Sequence, residues 1–418
     1  MPRRDGRLYL SRKRTRLILD LRLLLRRLAY LSSITNEERI HWHRLMIRTR
    51  ILDRHLKELF VEGVETPDGT KFGGKGFRST WQEPIAACGT ALHLGKDVAA
   101  PMIRDLGLAL SMGQTPLSIM SAQMGKSGSK MDGGHSDFGG RDLHIGDWDY
   151  GILPPTAPLP IASATATGIA LASSRKGDGR FTLAPVGEGC SSSGEFWEAI
   201  NFAGARGLPI CYIIQNNQIA LDTFSNKQSG AETFGDKGAS VGLPAWSIDG
   251  SDPAIYYASV CVARELAVSG CGGCIVHVET MRGCGHAHHH DDLYLGAENG
   301  NPPGYVGEEL MQYWSKKEPI ENHERLLREL GVGSRLLKSI VDEEEASCAE
   351  ARLTVESMKW PEPESVAIGT SRLTNARTHH QQIKDLEGIK PATSQSDIGQ
   401  MKFEAASNAW TFSRAIQN

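Results

Sequence analysis

The chain has 418 residues, 40% of them hydrophobic and 23% charged, with a net charge of −3 at pH 7. That balance belongs to a globular protein, not to a disordered tail or a polycation, so no nucleic-acid partner is expected. No run of about 18 apolar residues offers a membrane span, and the 8 cysteines follow no disulfide-like spacing, which favours a reducing, cytoplasmic setting.

Residues 1–30 hold ten basic and two acidic residues, a local charge of 10 − 2 = +8 that leaves −3 − 8 = −11 for the rest. The stretch "LILDLRLLLRRLAYL" sets leucines at helical spacing among arginines. Residues 1–35 are therefore a basic extension. Three readings are open for it: a mobile tail or misplaced start, an amphipathic surface helix, or a mitochondrial targeting segment that would send the chain to the matrix. Thr35 and Glu38 then have the spacing of a capping box for a helix through "RIHWHRLMIRTRILDRHLKELF". Residues 63–80 are Gly-rich and polar, hence loop. Helices fit "EPIAACGTALHLG" and "GLALSMG", with "PLSIMSAQMG" continuing the second. Residues 125–151 read as loop, and "APLPIASATATGIALASSRK" as a helix of small residues.

From there the rhythm alternates. "RFTLAPVGEG" is a strand ending in a turn, "SGEFWEAINFAGARG" a helix, and "LPICYIIQNN" and "GCIVHVETM" near-continuous apolar strands. This pattern predicts an α/β fold with a parallel sheet covered by helices on both faces. Ligands of such sheets sit beyond the carboxyl ends of the strands. Gly187–Gly189, Asn216–Asn217 and the segment after Met281 all fall there. The one main domain spans 36–360, with charged helices after about residue 325, a linker over 361–408 and a short helix-like start over 409–418. Cys271 and Cys274 form CGGC, with no neighbouring feature to support redox or metal work.

The strand-end residues suggest a cation and an anion held together. Glu188 offers a carboxylate, Asn217 an amide oxygen and Ile219 a backbone carbonyl, a donor set suited to Mg²⁺, which shares its oxygen ligands with phosphates. Gly187 and Gly189 let backbone approach a phosphate, and the helix start near Ser191–Gly194 supplies free N–H groups. Alone, Gly-Glu-Gly reads first as a tight turn.

The whole pattern is more specific. Gly-Glu-Gly followed by a hydrophobic strand and Asn216-Asn217 resembles the thiamin diphosphate-binding motif. More closely, the chain resembles the alpha subunit of the decarboxylating first component of 2-oxo acid dehydrogenase complexes over roughly residues 38–345, with Glu188 similar to the branched-chain type. The resemblance implies thiamin diphosphate and Mg²⁺ as cofactors, a thiamin diphosphate-binding fold, and oxidative decarboxylation of a 2-oxo acid with acyl transfer to a lipoyl group on an acyltransferase partner. Residue by residue, it implies that Arg104 in "PMIRDLGLALSMG" grips the diphosphate, and that Ala157 and Leu159 meet the aminopyrimidine ring. Gly187, Gly189 and Cys190 would line the phosphate turn. Arg282 and His286 of "ETMRGCGHAHHHDDLYLG" would reach the phosphate, with His286 on the substrate side as a catalytic residue and Asp291 or Asp292 as the later acid. A rival reading makes His286, His288, His289 and His290 a metal cluster.

Departures are Ile103 where the family often has Tyr, Gln215 where the branched-chain type has Arg, and Ala287 at the family's regulatory serine. His135 resembles a site-entrance histidine, whereas His43 and His93 read as packing or surface residues. The family's activating glutamate comes from a beta subunit and has no candidate here, so the chain alone is expected to be inactive. "AWTFSRAIQN" at residues 409–418 resembles the opening of that beta subunit, which suggests a fused alpha–beta chain. The other readings are a pyruvate or acetoin enzyme and a non-catalytic cofactor- or partner-binding chain.

Overall fold

The computed structural model describes residues 21–129, 131, 143–297, 300 and 303–362. The expectations placed on residues 1–20, on His135 and on 363–418 lie outside the described residues.

Five strands form the central sheet: β1 (Val98–Ala99), β2 (Thr182–Gly187), β3 (Ile210–Asn216), β4 (Ala245–Asp249) and β5 (Cys274–Glu279). Their order is β1-β2-β3-β5-β4 and every pairing is parallel. The apolar run of β3 explains its central place. Every residue of it is buried, and alternate side chains enter opposite cores. Cys211 and Ile213 join one core with α1 (Asn36–Glu62) and the helix Pro253–Val268. Tyr212 and Ile214 join the other, with α2 (Ile161–Lys176) and α3 (Gly194–Arg206). The expected two-faced α/β sheet is what the chain forms.

Tyr212 shows how this second core is matched. Its ring meets Phe196 edge-on at 5.6 Å, and its hydroxyl lies 2.6 Å from Thr167 Oγ1 and donates to the Ala199 carbonyl at 3.2 Å. Burying such a ring stabilises the fold by roughly 2–3 kcal/mol, provided the hydroxyl is satisfied.

The capping box of α1 forms as expected. Glu38 N donates to Thr35 Oγ1 at 3.1 Å, and Thr35 N donates to Glu38 Oε2 at 2.8 Å. Three boundaries differ from expectation. Residues 63–80 contain a hairpin pairing Val64–Glu65 with Lys71–Phe72. "PLSIMSAQMG" begins a separate helix, Pro116–Gln123, because Gly113 leaves the helical region at φ +124° and Thr115 caps the new start. "EPIAACGTALHLG" holds only a turn at Glu83–Ile85 and the helix Ala86–Thr90.

Strands β2, β3 and β5 are neighbours, and their ends are level: Gly187 pairs with Gln215, and Asn216 with Glu279. The loops that follow them leave the sheet side by side. Residues 100–104 leave β1 on the other flank of β2. Among the described residues no helix is long and apolar enough to cross a membrane.

Candidate functional site

A cavity of about 380 Å³ opens at these strand ends. It gathers Arg104, Ala157, Leu159, Gly187, Glu188, Gly189, Cys190, Ile219 and His286, residues drawn from five separate segments of the chain. Asn217 and Arg282 stand just behind the wall, 0% and 1% exposed.

Glu188 follows β2 and is 1% exposed. Burial raises its pKa; the Arg104 guanidinium and nearby backbone N–H groups, including that of Asn217, oppose the shift. The carboxylate is thus an acid whose charge has no full match in the protein. Its turn is braced from behind. Ser191 Oγ and N both donate to the Glu188 carbonyl, at 2.6 and 3.1 Å. Lys237 Nζ in turn donates to Ser191 O and Oγ at 2.5 and 2.9 Å. Lys237 lies between the rings of Trp197 and Phe234, 5.4 and 5.0 Å from their centroids, and this desolvation lowers its pKa to about 8.

Arg104 is positioned by a buried amide and acid network. Asp105 Oδ2 accepts from Met102 N at 2.8 Å and Asp105 Oδ1 from Gln215 Nε2 at 2.9 Å. Gln215, where a relative's arginine was expected, therefore holds the turn that carries Arg104. With its amide oriented to satisfy both ends, Asn217 accepts from Arg104 Nη1 at 2.6 Å and donates to the Ile219 carbonyl at 3.1 Å. Arg104 Nε and Nη2 are buried and have no partner among the described residues. Arg282 repeats the pattern. Its Nη2 donates to the carbonyls of Ile219 and Leu221 at 3.0 and 3.2 Å, while Nε and Nη1 are buried without partners. Among the described residues these four buried guanidinium nitrogens thus have no acceptor, a deficit that an anion's oxygens would remove.

The turn after β3 is strained. Among the described residues three non-glycine residues have positive φ: Gln218 at 75° and Leu221 at 56° in this turn, and Trp81 at 70°, next to Gln82. Glu279 holds the strained turn from β5, accepting from Asn216 Nδ2 at 3.1 Å and from Gln218 Nε2 at 2.7 Å. The residues on either side of Asn217 are thereby fixed.

His286 faces the cavity with its ring edge-on to Phe77 at 5.0 Å. Burial, then Arg282 and Arg104, lower its pKa to about 3, so the imidazole is neutral. The rival histidine cluster does not assemble. Among the described residues no three His, Cys, Asp or Glu side chains are gathered to hold a metal, and His288 and His289 pack against Phe60. Of the two acids that follow, Asp291 is the one tied into the fold. It accepts from Gly285 N at 2.7 Å and Arg78 Nη1 at 2.8 Å, whereas Asp292 is exposed. Ala157 and Leu159 precede the helix that starts at Ile161, and both are exposed at the cavity rim. Burial raises the Cys190 thiol's pKa. Cys274 is buried beside Cys211 while Cys271 is exposed, so CGGC brings no paired thiols to one site.

Sequence reasoning missed Gln82, Asp105, Lys75, Phe77 and His144. Gln82 contacts Gln215 and Asn217 across more than a hundred residues of chain, which no local motif reveals. The glycines flanking the lysine in "GGKGF" were the available signal for the last group.

Fold and crevice together define a class: parallel α/β proteins whose ligand place lies beyond the carboxyl ends of the strands. The family model "Dehydrogenase E1 component" matches residues 77–364, more than half of the chain. The chain belongs to that family. It is 27% identical over 336 residues to the 2-oxoisovalerate dehydrogenase subunit alpha of Bacillus subtilis (strain 168), covering 80% of this chain and 95% of that one. It is 32% identical over 202 residues to the pyruvate dehydrogenase E1 component subunit alpha of the same strain, covering 48% and 50%. A third relative, the pyruvate subunit of Bacillus cereus, is 33% identical over 192 residues, 46% of this chain and 49% of that one. The chain spans about half the length of these pyruvate relatives.

Proposed function

We propose that the chain is the thiamin diphosphate- and Mg²⁺-binding alpha subunit of a 2-oxo acid dehydrogenase, acting on a branched-chain 2-oxo acid together with a beta subunit and a lipoyl-bearing acyltransferase. The observation that carries this reading is the set of buried, unpartnered guanidinium N–H groups on Arg104 and Arg282 beside the buried Glu188 carboxylate. An anion alone would satisfy the arginines but oppose Glu188. A Mg²⁺-diphosphate satisfies both.

In this reading Arg104 and Arg282 take phosphate oxygens. Glu188, Asn217 and the Ile219 carbonyl take the cation; the carbonyl, which accepts from both Asn217 and Arg282 here, gives up one of those bonds to do so. Gly187, Gly189 and Cys190 line the diphosphate, and Ala157 and Leu159 meet the ring at the rim. When bound, thiamin diphosphate supplies a carbanion centre and electron sink for loss of carbon dioxide. His286, neutral and on the Phe77 side, can donate or accept a proton toward the substrate without first losing its own charge. The carboxylate that would activate the cofactor is left to the beta subunit.

Branched-chain substrates are favoured because the 2-oxoisovalerate relative aligns over nearly its whole length. The higher identity of the shorter pyruvate alignments keeps pyruvate as the second reading. Co-expression with a candidate beta subunit, then decarboxylation assays on 2-oxoisovalerate and pyruvate, tests both. Calorimetry with thiamin diphosphate and Mg²⁺ on Glu188→Ala tests the shared premise. Binding unchanged from wild type would remove Glu188 from the cation site.

A further inference from the structure

One cation of the cavity has no place in the diphosphate half. Lys75 lines the same space as Glu188 and His286, with His144 and Phe77 beside it. The segment that carries it is threaded through very little room. A Cβ at Gly73 would lie 2.6 Å from the Phe60 carbonyl oxygen, and one at Gly76 would lie 2.3 Å from His288 Nε2. The Lys75 N–H is tied to the Gln123 carbonyl at 3.0 Å. Glycines on either side let the backbone pass close to α1 and the histidine loop, and a single long side chain is left to enter the cavity.

The ammonium donates to His144 Nε2 at 3.2 Å. His144 is 7% exposed, and an imidazole nitrogen that accepts from lysine carries its proton on Nδ1. The pair therefore places one positive charge at the cavity wall, with ammonium N–H groups to spare. The cavity it lines is also bordered by the apolar side chains of Phe77, Met102, Ile103, Pro155 and Leu159. A small anion with a hydrophobic tail matches that lining.

We infer that Lys75, oriented by His144, recognises the carboxylate of the 2-oxo acid, while the apolar wall takes its side chain. This rests on the proposed function, since it names the substrate contact of that same site. The alternative source of the anion is the cofactor's own diphosphate. The two sources differ in kinetics. The substrate carboxylate departs as carbon dioxide and loses its charge as the bond breaks, so the lysine's grip cannot strengthen in the transition state. Contacts of that kind lower KM without raising kcat.

The test uses the assembled alpha and beta chains carrying Lys75→Met and Lys75→Arg. Lys75→Met should raise KM for 2-oxoisovalerate about tenfold, with kcat within about twofold and thiamin diphosphate affinity, read by calorimetry, unchanged. Lys75→Arg should recover most of the loss. An unchanged KM in Lys75→Met overturns the inference, and so does a weakened thiamin diphosphate affinity, which would assign the lysine to the cofactor. A wild-type assembly that binds the cofactor yet decarboxylates no 2-oxo acid sinks the proposed function, and this inference with it.

Discussion

Arg78 and Arg282 are both buried, at 9% and 1% exposure, and their surroundings differ in kind. Arg78 Nε meets Asp53 at 3.0 Å and its Nη1 meets Asp291 at 2.8 Å, so its charge is matched by carboxylates inside the fold. Arg282 donates to neutral carbonyls, has no carboxylate partner among the described residues, keeps Nε and Nη1 unpartnered there, and lies over the Tyr294 ring at 4.7 Å. Arg104, at the cavity wall, is closer to Arg282 in character. The first arrangement is complete without any other molecule. The second is incomplete on its own, because leaving a buried polar group unsatisfied costs about 1–3 kcal/mol. Held in a strained and braced crevice, that deficit marks where the fold gives up stability for a ligand.

The contrast can be broken from either side. The largest effect is expected from Arg78→Met, which strands the buried Asp53. Urea unfolding should show a loss of about 3 kcal/mol, the usual result of removing one partner from a buried pair. Arg104→Met should do the reverse. It should weaken thiamin diphosphate binding by about 100-fold in calorimetry, the scale of a lost bidentate phosphate contact, while the melting temperature of the cofactor-free chain holds or rises. A clear fall in that melting temperature would put Arg104 in the structural class.

Glu188 sharpens the comparison through pH. Its folded pKa is raised by burial, so the folded chain holds a proton that the unfolded chain releases. Stability should fall as pH rises from the unfolded carboxylate range through the folded pKa, and the penalty should be fully present above it. Glu188→Gln should flatten that part of the pH–stability profile of the cofactor-free chain. Saturating Mg²⁺ and thiamin diphosphate should flatten it in wild type, because a cation favours the ionised form. A profile that is the same in wild type and variant would mean that Glu188 is not a penalised charge. The smallest effect belongs to Lys237→Met, one shell behind the site. Loosening the Ser191 brace should weaken cofactor binding by about tenfold, the scale of losing a group that orients a ligand-holding residue, and calorimetry beside an unfolding curve separates that loss from general destabilisation.

The parts of this molecule that depend on neighbouring residues were readable in the chain. Thr35 and Glu38 are three residues apart, and the capping box follows from that spacing alone. The apolar runs of β2, β3 and β5 are buried on both faces, which is why they read as parallel strands. Strands β1 and β4 were not readable for opposite reasons. β1 has only two residues, and β4 is an edge strand with mostly half-exposed side chains, so it lacks the apolar run. In the site, the side chains that point into the cavity could be listed, but not the network behind them. Gln215 and Asp105 are 110 residues apart in sequence and 2.9 Å apart in space, and nothing in either segment announces the other. The one-residue uncertainty in the histidine loop was likewise a matter of contacts: Asp291 folds back onto Gly285, which sequence spacing leaves undetermined.

Gly189 carries a further consequence. Its φ is −60°, an angle open to any residue, so backbone freedom does not explain the glycine. A Cβ placed there would lie 2.6 Å from the Ala220 methyl. Two loops bearing opposite halves of the cavity therefore touch across the width of one absent carbon. The gap between Glu188 and the Ile219 carbonyl behaves like a mechanical tolerance, and an alanine at position 189 is a shim that widens it without altering any charge or hydrogen-bonding group.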